Sequence, residues 1–133
     1  MSEKGSVLIV DDNESLCKTL SFILTQNGYT TTVANNGTEA IRLVTETLFD
    51  MVLMDIRMPI MNGVEAYRRI KMIRPDAAVV MMTAFSVEEL VQEVLEEGAF
   101  GIIYKPLDIE KVISLIEEAK RARKGASHPG DLR

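Results

Sequence analysis

The sequence predicts an α/β fold in which a doubly wound parallel sheet is covered by helices on both faces. Five short apolar runs alternate with five amphipathic segments along the 133 residues, the order that builds βαβ units. The apolar runs are hydrophobic almost without interruption, whereas a strand with one solvent-facing side alternates polar and apolar residues. Both faces of the sheet are therefore expected to be buried, with right-handed crossovers between parallel strands.

Each apolar run is expected to form one strand. The runs are short, rich in aliphatic and β-branched residues, and bounded by charges or turn residues. The second run is less apolar than the others, which predicts a position at an edge of the sheet. The predicted strands span residues 7–10, 29–34, 51–54, 77–82 and 101–104.

The intervening segments repeat apolar residues at the three- and four-residue spacing of amphipathic helices. Asn13 or Ser15 can cap the first helix, and Ser86 with Glu89 matches a capping box for the fourth. The residues predicted to face inward are Leu16, Leu20, Ile23 and Leu24 in the first helix, Ile41, Val44 and Leu48 in the second, Ala66, Ile70 and Ile73 in the third, Leu90, Val91, Val94 and Leu95 in the fourth, and Ile109, Val112, Ile113 and Ile116 in the fifth.

The composition excludes several classes of function. Cys17 is the only cysteine and His128 the only histidine, which argues against a disulfide framework, a cysteine-based metal site and a Ser-His or Cys-His nucleophile. The net charge of −5 makes the chain a poor partner for nucleic acid. No apolar run approaches the ~18 residues that span a bilayer, and the charged opening residues do not resemble a signal peptide. We therefore expect a cytoplasmic protein that does not contact a membrane.

Polar side chains follow four of the five predicted strands. Asp11 and Asp12 follow the first strand, Asp55 the third, Thr83 the fourth and Lys105 the fifth. Ligands of doubly wound sheets bind at this carboxyl edge. In the flavodoxin-like strand order 2-1-3-4-5 the first and third strands are neighbours, ~4.8 Å apart, so the three acids are expected to converge.

Three carboxylates in one crevice repel each other, by up to about 4 kcal/mol per pair at ~4 Å and an effective dielectric near 20. Either one acid is protonated or a cation fills the site, and an all-oxygen ligand set favours Mg²⁺ or Mn²⁺. Lys105 and Thr83 could then bind the oxygens of a phosphoryl group, with Asp55 as a candidate nucleophile. The second strand brings only Ala34 and Asn35 to this edge.

Four segments at the strand ends resemble the receiver domain of two-component response regulators. They are LIVDD (8–12), VLMDIRMP (52–59), MTA (82–84) and YKP (104–106). The resemblance implies a receiver domain over residues 5–124, followed by a flexible tail or linker stub over 125–133. It also implies a signalling switch that assists its own phosphorylation by a histidine kinase or phosphotransfer protein, without being a turnover enzyme.

The resemblance assigns roles to the acids. Asp55 corresponds to the phosphoacceptor of the family. Asp12 and Asp55 correspond to ligands of Mg²⁺, together with the backbone carbonyl of Arg57. Asp11 corresponds to an acid that acts through a metal-bound water.

The resemblance also implies how the switch works. Thr83 corresponds to the switch residue, and Lys105 to the lysine that pairs with the phosphoryl group before a cis bond to Pro106. Where the family usually has an aromatic residue three positions before the lysine, this chain has Ile102, so the usual coupling of threonine to an aromatic ring is not expected. Phosphorylation is expected to alter the surface from Ser86 to Lys124, which would bind a downstream protein or a second copy of the chain.

Two other functions stay open on the residues alone. A Mg²⁺ phosphatase of the haloacid-dehalogenase type also begins from a strand-end aspartate, but it needs a second acid where this chain has Arg57, and it usually needs a cap domain. A flavodoxin-like nucleotide or flavin binder needs a phosphate-binding loop after the first strand, where this chain has the acidic segment DDNE.

Overall fold

The computed structural model describes residues 4–84 and 88–126, which form a single parallel sheet flanked by helices. The strand order β2-β1-β3-β4-β5 confirms the predicted flavodoxin-like α/β fold. In chain order the elements are β1 Ser6–Val10, α1 Glu14–Gln26, β2 Thr30–Ala34, α2 Gly37–Glu46, β3 Met51–Asp55, α3 Gly63–Ile73, β4 Val79–Thr83, α4 Glu88–Glu96, β5 Gly101–Tyr104 and α5 Ile109–Ala126.

The sheet buries its central strands completely and exposes part of one edge. Every residue of β3 and β4 is buried, whereas only the last residue of β2 is buried, as expected of an edge strand. β4 differs from the prediction because it begins two residues later and includes Thr83 as its last residue. The difference arises because the amide of Ala77 bonds to the carbonyl of Arg74 in a turn that delays the strand.

Two apolar layers cover the sheet, one on each face. One layer packs α2, α3 and α4 against the strands, and the other packs α1 and α5 against them. Because both faces are covered, the strands can be apolar along their whole length. The helix residues buried in the first layer are Ala40, Val44, Val64, Ala66, Tyr67, Ile70 and Val94; those in the second are Cys17, Leu20, Leu24, Val112, Ile116 and Ala119.

Asparagine caps begin the first three helices. Asn13, Asn36 and Asn62 each accept a hydrogen bond from the amide three residues later, at 3.1, 2.8 and 2.9 Å. Asn13, and not Ser15, is thus the cap of α1. These caps fix where the helices leave the carboxyl edge of the sheet. The capping box predicted at Ser86 lies outside the described residues.

Apolar residues near helix ends depart from the predicted inward faces. Leu48 lies beyond the end of α2 and is 56% exposed, and Ile73 and Leu95 in the last turns of α3 and α4 are also exposed. Apolar residues continue at helical spacing along the sequence after the helix has stopped packing on the sheet. None of the helices within 4–84 and 88–126 is long and apolar enough to cross a bilayer. α5 continues to Ala126, and the tail beyond it, with His128, lies outside the description.

Candidate functional site

The three predicted acids meet at the carboxyl edge of the two strands at the centre of the sheet. Val10 of β1 pairs with Met54 of β3, so the residues that follow them, Asp11 and Asp55, are neighbours. One carboxylate oxygen from each of Asp11, Asp12 and Asp55 lies within 4.8 Å of the others. Asp11 and Asp55 are buried, at 1% and 7% exposure, whereas Asp12 is exposed to solvent. The strand order thus brings together the acids in the way that the sequence predicts.

Lys105 reaches the same cluster from the other side. Its ammonium Nζ lies 2.8 Å from Asp11 Oδ2 and 3.4 Å from Asp55 Oδ1. The peptide bond to Pro106 is cis, and the amide of Lys105 donates to the carbonyl of Thr83 at 2.8 Å. The sequence predicts the proximity of Lys105 to Asp55, but it does not predict the shorter ion pair with Asp11, which lies one strand further away.

Burial and like charges make Asp55 an unusual carboxylate. Burial, and then the negative charge of Asp11, raise the pKa of Asp55 to about 6, and Lys105 offsets this only in part. Burial acts to lower the pKa of Lys105, but its hydrogen bond to Asp11 and the charge of Asp55 outweigh this and raise that pKa. The cluster therefore holds more negative charge than its single lysine neutralises.

The donor set fits a hard divalent cation. All three candidate ligands are carboxylates, and oxygen is the ligand type that Mg²⁺ prefers. Cys17 lies close by, but burial and the charge of Asp11 raise the pKa of its thiol to about 11, so the thiol stays protonated. Its Sγ instead donates to the carbonyl of Asp11 at 3.3 Å. The site thus offers oxygen ligands with excess negative charge, which a cation would relieve.

The remaining predicted residues lie on β4, on β5 and in the loop after β3. Thr83 is buried as the last residue of β4 and pairs in register with Tyr104 of β5. Ile102 is half-buried and packs against the layer that holds α4, while Tyr104 is 53% exposed. Arg57 is exposed two residues after Asp55.

One contact near the acids involves a residue to which the sequence assigned no role. Asn35, which follows β2, donates from Nδ2 to the carbonyl of Asp11 at 3.3 Å. The signal was present in the strand order, because β1 and β2 end in register at Val10 and Ala34, and the next residues are therefore neighbours.

A family model described as the response regulator receiver domain matches residues 7–117. The chain belongs to this family. It is therefore a receiver domain of two-component signal transduction, a class of domain that is phosphorylated on an aspartate. Receiver domains bind Mg²⁺ at an acidic pocket and interact with histidine kinases and phosphotransfer proteins.

This receiver domain is similar to curated proteins of very different length. It is 41% identical over 117 residues to the transcriptional regulatory protein ZraR of Klebsiella oxytoca, covering 88% of this chain and 26% of that protein. It is 36% identical over 118 residues to sporulation initiation phosphotransferase F of Bacillus subtilis (strain 168), covering 89% of this chain and 94% of that protein. The receiver domain thus spans about a quarter of the length of the first relative and nearly all of the second.

Solved structures agree with the fold. A response regulator receiver domain protein from Clostridium thermocellum superposes with a TM-score of 0.86 at 29% identity, covering 90% of this chain and 96% of that one. A CheY-like receiver domain protein from Methanospirillum hungatei JF-1 superposes with a TM-score of 0.83 at 28% identity, covering 91% and 99%.

Proposed function

We propose that Asp55 is the phosphoacceptor of this receiver domain. The observation that carries the proposal is its position: a buried carboxylate at the end of the central strand, 3.4 Å from an ammonium and within 4.8 Å of two further acids. Asp11 is already engaged, because its carboxylate accepts from Lys105 and from the amide of Asn13. Asp12 is exposed to solvent. Asp11 is more buried and closer to Lys105, but both of its carboxylate oxygens already accept hydrogen bonds, so Asp55 is the buried acid beside the ammonium with the less engaged carboxylate.

The reaction would transfer a phosphoryl group from a phosphohistidine of a histidine kinase or phosphotransfer protein. A carboxylate oxygen of Asp55 attacks phosphorus, and the bond from phosphorus to the imidazole nitrogen breaks. The electron pair stays on that nitrogen, and an acyl phosphate forms on Asp55. Lys105 would neutralise the phosphoryl oxygens, and the hydroxyl of Thr83 would donate a hydrogen bond to one of them.

The acids would also hold a metal ion. Asp12 and Asp55, with the backbone carbonyl of Arg57, would bind Mg²⁺, and Asp11 would contribute through a bound water. When bound, the ion would neutralise charge on the phosphoryl oxygens. The excess of carboxylates over lysine supports this assignment, because an incoming phosphoryl group would otherwise meet net negative charge.

Phosphorylation would act on a binding surface, and the domain would assist its own phosphorylation without turning over a substrate. The surface from Ser86 to Lys124 would bind a downstream protein or a second copy of the chain, although residues 85–87 lie outside the described part. Thr83 precedes this surface, and the exposed residue Tyr104 belongs to it. Because Ile102 carries no ring, the response of Thr83 would be transmitted by backbone rearrangement. We place this activity in the cytoplasm, without contact to nucleic acid or membrane by this domain.

Incubation with acetyl phosphate, with and without Mg²⁺, tests the assignment by intact-mass analysis. The wild-type chain should gain one phosphoryl group in a Mg²⁺-dependent manner, and Asp55→Asn should gain none. Asp76→Asn is the matched control, because it removes an exposed acid in the turn before β4 and should label like wild type. Stoichiometric labelling of a folded Asp55→Asn protein would refute the assignment.

A further inference from the structure

The turn that carries Asp11 and Asp12 is held by a side chain from the edge strand. The carbonyl of Asp11 accepts hydrogen bonds from Asn35 Nδ2 and Cys17 Sγ, each at 3.3 Å. The amide of Asp11 donates to the carbonyl of Ala34 at 3.1 Å. The backbone of Asp11 is therefore fixed from two elements, the turn after β2 and the helix α1.

This turn needs external support because of its charge. Asp11 lies beside Asp55, and the two carboxylates repel each other in a buried setting. Asp12 is exposed, and one of its carboxylate oxygens lies within 4.8 Å of those of Asp11 and Asp55. A movement of the turn would change the separation of Asp11 and Asp12 from Asp55. The bonds to the carbonyl of Asp11 hold its peptide group in one position and so limit that movement.

We propose that Asn35 is a positioning residue for the Mg²⁺ site. Its amide fixes the carbonyl of Asp11 and thereby the separation of Asp11 and Asp12 from Asp55. β2 supplies none of the candidate ligands, so on this proposal it contributes to the site through Asn35. The inference rests on the proposed function of the three acids as a metal site, and it adds a residue that neither binds the metal nor touches the phosphoryl group.

Two variants of Asn35 test its hydrogen bond to the carbonyl of Asp11. Asn35→Ala removes the donor, and Mg²⁺ affinity should fall about three- to tenfold, the range expected for one neutral hydrogen bond behind a metal ligand. Asn35→Gln keeps an amide donor at a half-buried position, and it should restore most of the affinity.

The chain offers a matched control at the other end of α1. Asn27 Nδ2 donates to the carbonyl of Ile23 at 2.8 Å, which is the same kind of bond, an asparagine amide to a backbone carbonyl. Asn27→Ala should cost stability in a similar way to Asn35→Ala. It should leave Mg²⁺ affinity unchanged, because α1 points its carboxyl end away from the acids.

Calorimetric titration with Mg²⁺, in the absence of any phosphodonor, measures the affinity of the four proteins. Acetyl phosphate labelling at limiting and at saturating Mg²⁺ provides the second readout. Asn35→Ala should label slowly at limiting Mg²⁺ and regain the wild-type rate at saturation, a split that a general loss of structure would not produce.

A Mg²⁺ affinity of folded Asn35→Ala within about twofold of wild type would overturn the proposal. So would an equal loss of affinity in Asn27→Ala, or a labelling defect that persists at saturating Mg²⁺. If wild type binds Mg²⁺ but accepts no phosphoryl group, the proposed function fails. The Mg²⁺ titrations would in that case still test the role of Asn35.

Discussion

Two aspartates flank the central strand, and their surroundings are opposite. Asp50 precedes β3 at the amino edge of the sheet, and its Oδ2 accepts from the amide of Ser6 at 2.8 Å and from the hydroxyl of Ser6 at 3.4 Å. Asp55 ends β3 at the carboxyl edge, where its neighbours are two further acids and Lys105. The same residue type at the two ends of β3 thus accepts hydrogen bonds from Ser6 at one end and lies among two acids and one lysine at the other.

The comparison distinguishes an acid that stabilises the fold from an acid that the fold keeps among unbalanced charges. The carboxylate of Asp50 is satisfied by donors that are always present, so it stabilises the attachment of β1 to β3. The carboxylate of Asp55 lies in a cluster whose charge is only partly balanced, which costs stability in the absence of a cation. Buried, unbalanced charge of this kind is typical of functional sites.

The largest effect is expected in the free energy of unfolding of the metal-free protein. Asp55→Asn should raise it by about 1–3 kcal/mol, because it removes the ionised carboxylate whose pKa burial raises to about 6. Asp50→Asn should lower it by about 1 kcal/mol, because it weakens the bonds to Ser6. Denaturant unfolding in the presence of a chelator measures both. A loss of stability in both variants would contradict the comparison.

The pH dependence of the free energy of unfolding provides a second test of the difference between Asp50 and Asp55. Asp55 has a pKa of about 6 in the folded chain against its ordinary value of 3.8, so the folded state binds this proton more tightly. The cost of the ionised form is therefore fully present above about pH 6, decreases as the pH falls below that value, and is lost near the ordinary value of 3.8. The advantage of Asp55→Asn over wild type should shrink between about pH 7.5 and pH 5. An advantage that stays constant over this range would show that charge is not its cause.

A smaller change in the free energy of unfolding is expected from backbone strain, in which the two edges of the sheet also differ. Gly28 near the amino edge has a φ of 95°, which glycine adopts without strain. Ile60 near the carboxyl edge has a φ of 70°, in a turn where the amide of Met61 donates to the carbonyl of Pro59 at 2.8 Å. The side chain of Ile60 is fully exposed, so little packing is lost on its removal. Ile60→Gly should raise the free energy of unfolding by about 1 kcal/mol.

Gly28→Ala is the matched control for Ile60→Gly in the same denaturant titrations. It places a Cβ at a positive φ and should shift stability in the opposite direction. A decrease in stability of Ile60→Gly would contradict the assignment of strain to this loop.

Most of the fold could be predicted because the strands alternate so regularly with helices. Continuous apolar runs require both faces to be covered, and the weaker second run belongs at an edge. The spacing could not show where a helix stops packing on the sheet, so Leu48 and Leu95 were expected inside and lie exposed.

The proximity of the acids could be predicted because each follows a strand and the strand order makes two of these strands neighbours. The contacts of the site depend on side-chain reach, which sequence spacing does not encode. Lys105 therefore pairs more closely with Asp11 than with Asp55, and Asn35 reaches across from the edge strand to the carbonyl of Asp11.

The most direct test of the central claim identifies the modified residue by chemical trapping. Borohydride reduces an acyl phosphate of aspartate to homoserine, so peptide mapping after Mg²⁺-dependent labelling shows which acid carried the phosphoryl group. We expect homoserine at position 55 alone. Homoserine at Asp11, Asp12 or Asp50, or its absence from a fully labelled chain, would contradict the account.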